Sequence, residues 1–231
     1  MQEILPGLFH WTTFHDGIAA RVSSYYLESA GALIDPRVPD EGLDAFAGRD
    51  RPQQVVLTSG LHARHAERFA EAFGCVIRAS PEALERLDGS LDAQRYSAGD
   101  EIAPGIVAIH IGKLSPDEYA LQIAVAEGAI AFADGLVRYG EALGFVSDAL
   151  IGENADAIKA GLKDAFRGLL TRDFDHLLFA HGDRCSVEVR RPCASLSRGR
   201  SARRTTARLS ERASRRRWPV LGNALPSVPR G

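Results

Sequence analysis

The chain has 231 residues, of which 45% are hydrophobic and 25% are charged, a composition typical of globular domains. Its formal net charge of -2 hides an uneven distribution, because residues 185–231 hold twelve arginines, no lysine and two acidic residues, giving +10. The preceding 184 residues hold 16 basic and 28 acidic side chains, giving -12. We therefore predict an acidic folded domain over residues 1–184 and a basic tail over residues 185–231.

Several classes of protein are excluded by what the sequence lacks. No apolar run approaches the roughly 18 residues that a membrane-spanning helix requires. The first residues lack the basic start and apolar stretch of a signal peptide. The three cysteines (Cys75, Cys185 and Cys193) cannot form a disulfide framework, and no CxxC pair indicates a structural zinc site. We expect a cytoplasmic protein.

The predicted elements alternate irregularly between strands and helices. Apolar runs predict strands at 23–29, 32–34, 53–57, 75–78, 106–111, 119–125, 129–132 and 175–180. Helical spacing predicts helices at 39–47, 62–73 and 155–170, and a further helix that begins at Pro81 with Ser80 as its N-cap. This mixed order favours an α/β or α+β layered domain over an all-β barrel.

The basic tail differs in character from the rest of the chain. It is rich in Arg, Ser and Pro, and its few apolar residues show no sustained period. Such a segment cannot bury enough apolar surface to offset the entropy lost on ordering, so we predict that it is disordered. The abrupt change also has the appearance of translation in a shifted frame of a GC-rich gene.

Polar, metal-competent residues follow three of the predicted strands. His62 and His65 lie in the segment after the strand at 53–57, Asp134 follows the strand at 129–132, and His181 follows the strand at 175–180. A rigid sheet can hold ligands at strand ends while the loops admit substrate. Neutral imidazole and carboxylate suit zinc, manganese or iron. Each residue alone also has an ordinary structural explanation, and only the combination predicts a metal site.

This combination resembles the metallo-β-lactamase superfamily. VVLTSGLHARHAERF resembles the strand, the HxHxDH metal loop and the helix that follows it. IAFADG is similar to the strand that ends in the bridging aspartate, and LLFAHG to the strand that ends in the last histidine. The resemblance covers about residues 4–184. It implies a four-layer αββα sandwich with the active site along one edge.

The resemblance carries over four metal ligands. His62 and His65 match the second and third histidines of HxHxDH, Asp134 matches the bridging aspartate and His181 the last histidine. They imply one divalent metal, zinc by preference and manganese or iron as alternatives, held by His65, Asp134 and His181 with help from His62. Asp134 is both a ligand and a catalytic residue in this prediction.

Three further positions depart from the family pattern. Gly60 stands where the first histidine is expected, and Arg64 where the metal-binding aspartate is expected. Lys113 or Leu114 stands at the third-motif histidine, with His110 three or four positions early. The metal site is therefore degenerate.

The permanent cation of Arg64 has two interpretations. It can replace a metal ion and polarise a substrate oxygen as a catalytic residue, or it can be an exposed helix residue paired with Glu67 or Glu71. Asp35 and Asp183 can each orient a site histidine or simply end a strand.

We predict a metal-dependent hydrolase in which activated water attacks an ester, thioester, amide or phosphoester. The alternative is a catalytically silent, metal-depleted binding module of the same fold. A third hypothesis is that the tail binds polyanions, weakly and without specificity.

Overall fold

The structure is a computed structural model, which describes residues 1–140 and 142–182 and the backbone of 187–188. The first sheet contains β1 (Gln2–Leu5), β2 (Leu8–His15), β3 (Ala20–Leu27), β4 (Ala32–Ile34), β5 (Gln54–Val56), β6 (Val76–Ala79) and β7 (Gln94–Arg95). The second sheet contains β8 (Glu101–Ala103), β9 (Ile106–His110), β10 (Tyr119–Ile123), β11 (Ala129–Phe132), β14 (His176–Phe179) and β15 (Val187–Glu188). Between β11 and β14 in the chain, β12 (Val137–Tyr139) and β13 (Ala142–Gly144) form a separate two-stranded hairpin. The α-helices are α1 (Ala66–Phe73), α2 (Pro81–Leu87), α3 (Asp148–Ile151) and α4 (Ala155–Leu169).

Three buried apolar clusters show how the layers stack. The central cluster joins the two sheets, with Ile34 of the first sheet and Leu121 of the second among its members. A second cluster packs Phe69 of α1 against the outer face of the first sheet. A third packs Phe166 of α4 against the outer face of the second sheet. The order helix, sheet, sheet, helix confirms the predicted αββα sandwich.

Strand direction explains where the polar strand ends meet. In the first sheet β1 to β4 are antiparallel, whereas β4, β5, β6 and β7 are parallel. In the second sheet β11 pairs with β14 in parallel, although its other described pairs are antiparallel. Parallel neighbours place their carboxyl ends at the same edge. The residues after β4, β5, β11 and β14 therefore have neighbouring positions.

Most of the predicted elements are confirmed, with the largest departures at two helices. The structure has β4 and β11 at the predicted residues, and α4 ends one residue before the prediction. The predicted helix at 39–47 was wrong, because Gly42 has φ 78° and only the 3₁₀ turn Leu43–Phe46 forms. The helix predicted from residue 62 begins at Ala66, because Arg64 has φ 43°.

Two predictions concern residues that the structure leaves undescribed. The segment 185–231, which was predicted to be disordered, lies outside the described residues apart from the backbone at 187–188, and Asp183 also lies outside them. Within the described part of the chain, no helix is both long and apolar enough to cross a bilayer.

Candidate metal site

His62, Asp134 and His181 meet where β5, β11 and β14 end. Asp134 Oδ1 lies 2.9 Å from His181 Nε2 and 3.2 Å from His62 Nε2, and the two Nε2 atoms are 3.4 Å apart. Bonds of about 2.0–2.1 Å in tetrahedral geometry place donor atoms roughly 3.3 Å apart. The three side chains therefore fit a single divalent ion and leave one coordination position open.

A buried carboxylate orients His62. His62 Nδ1 donates to Asp35 Oδ2 at 2.8 Å, because an ionised carboxylate can only accept. The Asp35 carboxylate also accepts from the backbone N–H of Thr58 at 2.8 Å and from its hydroxyl at 2.5 Å. These contacts fix the ring so that Nε2 faces Asp134. Of the two roles that the sequence allowed for Asp35, the structure shows the orientation of a site histidine.

The charges of this group depend on one another. Burial alone would lower the pKa of His62, but the carboxylates of Asp35 and Asp134 outweigh it and raise this pKa to about 9. Burial opposes ionisation of Asp134 as well, yet His62 and His181 lower its pKa well below 3.8. A metal ion that binds His62 must consequently displace a proton from the imidazole.

The backbone of His181 is anchored to the first sheet. His181 forms an isolated antiparallel bridge with Val22, and the N–H of Ser23 donates to the carbonyl of Ala180 at 2.9 Å. The Tyr25 hydroxyl donates to the carbonyl of Phe179 at 2.7 Å. These contacts join the ends of β14 and β3, so the last histidine is held by both sheets.

Glu118 supports the turn that carries Asp134, and the sequence analysis missed this residue. Its Oε1 accepts from the backbone N–H of Gly135 at 2.6 Å, and its Oε2 accepts from that of Leu114 at 3.3 Å. Burial, the largest influence, raises the pKa of Glu118 to about 7. A Cβ at Gly135 would overlap Glu118 Oε1 and approach Leu162 Cδ2 to 2.9 Å, so a larger residue here would displace the carboxylate that supports the turn. The only signal in the sequence was an acidic residue immediately before an apolar strand.

His65 does not join the metal group, which corrects the predicted ligand set. Its Nδ1 accepts from the backbone N–H of Val38 at 2.9 Å, and its own N–H donates to the carbonyl of Pro36 at 3.2 Å. Burial and nearby arginines lower the pKa of His65 to about 4, so the ring is neutral. Of the two histidines, the structure brings His62, and not His65, together with Asp134 and His181.

Arg64 lies beside the group and does not project from an exposed helix. Its Nη1 donates to the carbonyls of Ser23 and Asp35, both at 2.7 Å. The pairing with Glu67 or Glu71 was therefore wrong, because Arg64 lies in the left-handed region before α1 begins. Among the described residues Arg64 makes no ion pair within 4.0 Å, although Asp35 and Asp134 both attract its charge.

Helix α2 occupies the space beside Gly60, where the family pattern has its first histidine. A Cβ at this position would lie 2.9 Å from Arg86 Cδ and 3.0 Å from the carbonyl oxygen of Ala83.

The position expected for the third-motif histidine is also without a ligand in the described structure. Lys113 is exposed and runs along α4 at Gly161, and His110 Nε2 contacts the carbonyl of Pro116 at 2.8 Å.

An ion pair between the partly exposed Arg86 and the buried Asp117 fixes Arg86 beside Gly60. Asp117 accepts from Arg86 Nε and Nη2, both at 3.0 Å, and from the backbone N–H of Gly60 at 2.8 Å. It also accepts from the hydroxyls of Ser59, at 2.9 Å, and Ser115. Burial alone would raise the pKa of Asp117, but these donors lower it to about 2. This network connects α2, the loop after β5 and the loop before β10.

Comparison with solved structures identifies the fold. TTHA1623, solved in a di-iron-bound form, aligns with a TM-score of 0.56 at 18% identity over 75% of this chain and 92% of its own. A metallo-β-lactamase from Erythrobacter litoralis aligns with a TM-score of 0.59 at 14% identity, over 78% and 87% of the two chains. One from Cronobacter sakazakii, a HARLDQ-motif mutant, aligns with a TM-score of 0.54 at 16% identity, over 78% and 79%.

The chain therefore has the metallo-β-lactamase fold, as its motifs predicted. No protein-family model matched the chain, and a search of curated proteins also gave no match. Identities of 14–18% establish the architecture alone, so the function has to be argued from the side chains at the edge of the sandwich.

Proposed function

We propose that the protein is a hydrolase dependent on one divalent metal ion, held by His62, Asp134 and His181. The observation that carries the proposal is the spacing of their three donor atoms, 2.9–3.4 Å, on three strand ends. Zinc suits two imidazoles and a carboxylate, and manganese and iron are alternatives. When bound, the ion would supply an activated water able to attack an ester, thioester, amide or phosphoester.

A single ion is proposed because the positions for further ligands hold other groups. Gly60 has no side chain and lies against α2, Arg64 brings a cation, and Lys113 lies along α4. The Cronobacter metallo-β-lactamase is described by a HARLDQ motif, and the same His-Ala-Arg sequence occurs here at residues 62–64. Compared with HxHxDH, HARLDQ carries its arginine at the second histidine and keeps the aspartate, whereas Arg64 stands at the aspartate position, so the similarity supports only the presence of an arginine in this loop.

The chain itself supplies orientation and charge. Asp35 holds Nδ1 of His62 and so presents Nε2 to the site, and Glu118 holds the turn after Asp134. Because both contacts are buried, the ligands are fixed before substrate arrives. Arg64 is a permanent cation next to Asp134, placed to stabilise negative charge on a substrate oxygen.

Elemental analysis of protein purified without chelator tests this proposal. We expect about one divalent metal per chain, with metal and turnover lost in Asp134→Ala and His181→Ala. His110→Ala is the matched control, because this exposed histidine lies outside the group and contacts the Pro116 carbonyl and the Tyr119 ring. Two tightly bound metals per chain, or retention of metal by both variants, would show that the ligand set is wrong.

The binding-module alternative is supported by the direct hydrogen bonds within the same group. Both histidines contact one oxygen of Asp134, so the three side chains satisfy one another without an ion. If the protein holds no metal after incubation with zinc, manganese or ferrous iron, and Asp134→Ala is as stable as the parent, this alternative replaces the hydrolase.

A further inference from the structure

Two arginine side chains near the metal group have buried nitrogen atoms without partners. Arg64 uses Nη1 for two carbonyls, but its Nη2 is buried and has no hydrogen-bond partner among the described residues. The Nε of Arg37 is also buried and has no hydrogen-bond partner among the described residues. Neither arginine forms an ion pair within 4.0 Å in the described part of the chain. Buried donors of charged groups are normally satisfied, so these atoms require an explanation.

Two more polar atoms without hydrogen-bond partners in the described structure lie on β2. Thr13 Oγ1 and His15 Nδ1 are buried and without partners in the described structure. These residues alternate with Trp11 along β2, so all three project from the same face of the strand. Trp11 Nε1 donates to the carbonyl of Arg37 at 2.8 Å, which places Arg37 beside this face.

The segment that carries Arg37 is fixed on both sides. The backbone N–H of Arg37 donates to Ser24 Oγ at 2.9 Å, and that of Val38 donates to His65 Nδ1 at 2.9 Å. The N–H of His65 donates to the carbonyl of Pro36. His65 therefore fixes the backbone on both sides of Arg37. This preorganised backbone holds Arg37 near Arg64.

The electrostatics of this region favour an anion. Burial and then the charges of Arg37 and Arg64 lower the pKa of His15, which shows that the two cations act on one place. Of the carboxylates in this region, Asp35 is bonded to His62 and Thr58, Asp134 is bonded to the site histidines, and Asp16 acts on His15 more weakly than either arginine. An oxyanion could accept from the two guanidinium groups together.

We propose that Arg37 and Arg64, with Thr13 and His15, form a subsite for a carboxylate or phosphate group of the substrate. Arg64 donates to the backbone carbonyl of Asp35, whose side chain orients His62, so the subsite adjoins the proposed metal site. The proposal rests on the proposed function for its role in catalysis and narrows the substrate to negatively charged molecules. The binding of the anion itself needs no metal.

Calorimetric titration of the full chain with inorganic phosphate and with acetate, at low salt, tests the subsite. Each titration is run with and without EDTA, so that binding to a metal ion is separated from binding to the arginines. We expect saturable binding of at least one anion with EDTA present, weakened about tenfold or more by Arg37→Gln and by Arg64→Gln. Arg37→Lys keeps the charge without the planar fork and should weaken binding by a smaller factor.

Arg68→Gln is the matched control, because Arg68 is an exposed cation on α1 near the same cluster. It should bind with an affinity within about twofold of the parent. No binding of either anion, or equal weakening by Arg68→Gln and Arg37→Gln in variants with unchanged melting temperature, would overturn the subsite. Anion binding with EDTA present, combined with no metal in the chain after incubation with zinc, manganese or ferrous iron, would support the subsite and refute the hydrolase.

Discussion

Asp117→Asn provides a quantitative test of the ion pair between Arg86 and Asp117. This ion pair lies beside Gly60, where the family pattern has its first histidine. The substitution keeps the shape of the side chain and removes the charge that Arg86 and three other donor groups satisfy. Asp117 is only 1% exposed, whereas the Arg86 side chain is 39% exposed, so solvent screens the ion pair in part and leaves the contacts with Ser59 and Gly60 unscreened. We expect a clear loss of the free energy of unfolding at neutral pH.

The depressed pKa of Asp117 gives the size of the effect. A pKa of about 2 in the folded protein, against an ordinary 3.8, corresponds to about 2 kcal/mol of stability at pH 7. Since the folded pKa is the lower one, this contribution is present above about pH 4 and is lost as the pH falls towards 2. About half of it should remain at pH 3.

Urea unfolding of parent and variant at pH 7 and pH 3 measures this difference. Asp164→Asn is the control, because Asp164 forms an ion pair with Arg167 in which both side chains are more than two-thirds exposed. The control should change stability by less than about 0.5 kcal/mol. If Asp117→Asn is as mild as the control at pH 7, or if its effect is the same at both pH values, the ion pair does not stabilise the fold as argued.

Three further predictions follow from the geometry of individual residues. Gly135→Ala should cost more than about 2 kcal/mol in urea unfolding, because its Cβ would overlap Glu118 Oε1, whereas Gly144→Ala meets open space and should be nearly neutral. His65→Ala should keep its metal in elemental analysis, because His65 contacts backbone groups outside the metal group; loss of metal would restore it as a ligand. A chain that ends at Arg190 should melt at the same temperature as the full chain, and trypsin should remove the basic tail first, whereas a truncated chain that fails to fold would move the domain boundary.

The layered fold and the location of the site could be predicted because both depend on local pattern. Short apolar runs ended at polar residues, and the parallel pairing of β4 with β5 and of β11 with β14 brings those ends together. Asp134 and His181 are the first polar residues after their strands, so their positions follow directly from the strand ends.

The choice between His62 and His65 could not be made in the same way. It depends on the left-handed backbone of Arg64, which interrupts the expected helix and turns the two rings towards different neighbours. Helical periodicity carries no information about a single residue with positive φ. Glu118 was missed because its partner, the N–H of Gly135, is 17 residues away and belongs to the backbone, which no side-chain motif records.

The contact between Gly60 and Arg86 also limits how the chain could change by mutation. Placing a histidine at residue 60 would first require Arg86 to move, because its Cδ would lie 2.9 Å from the new Cβ. Shortening Arg86 beforehand would leave the buried Asp117 without its cation, at a cost of several kcal/mol. Whether residue 60 or Arg86 is substituted first, the resulting single variant is therefore destabilised. Neutralising Asp117 first also costs stability, as its low pKa indicates, so each order of substitutions begins with a destabilising step.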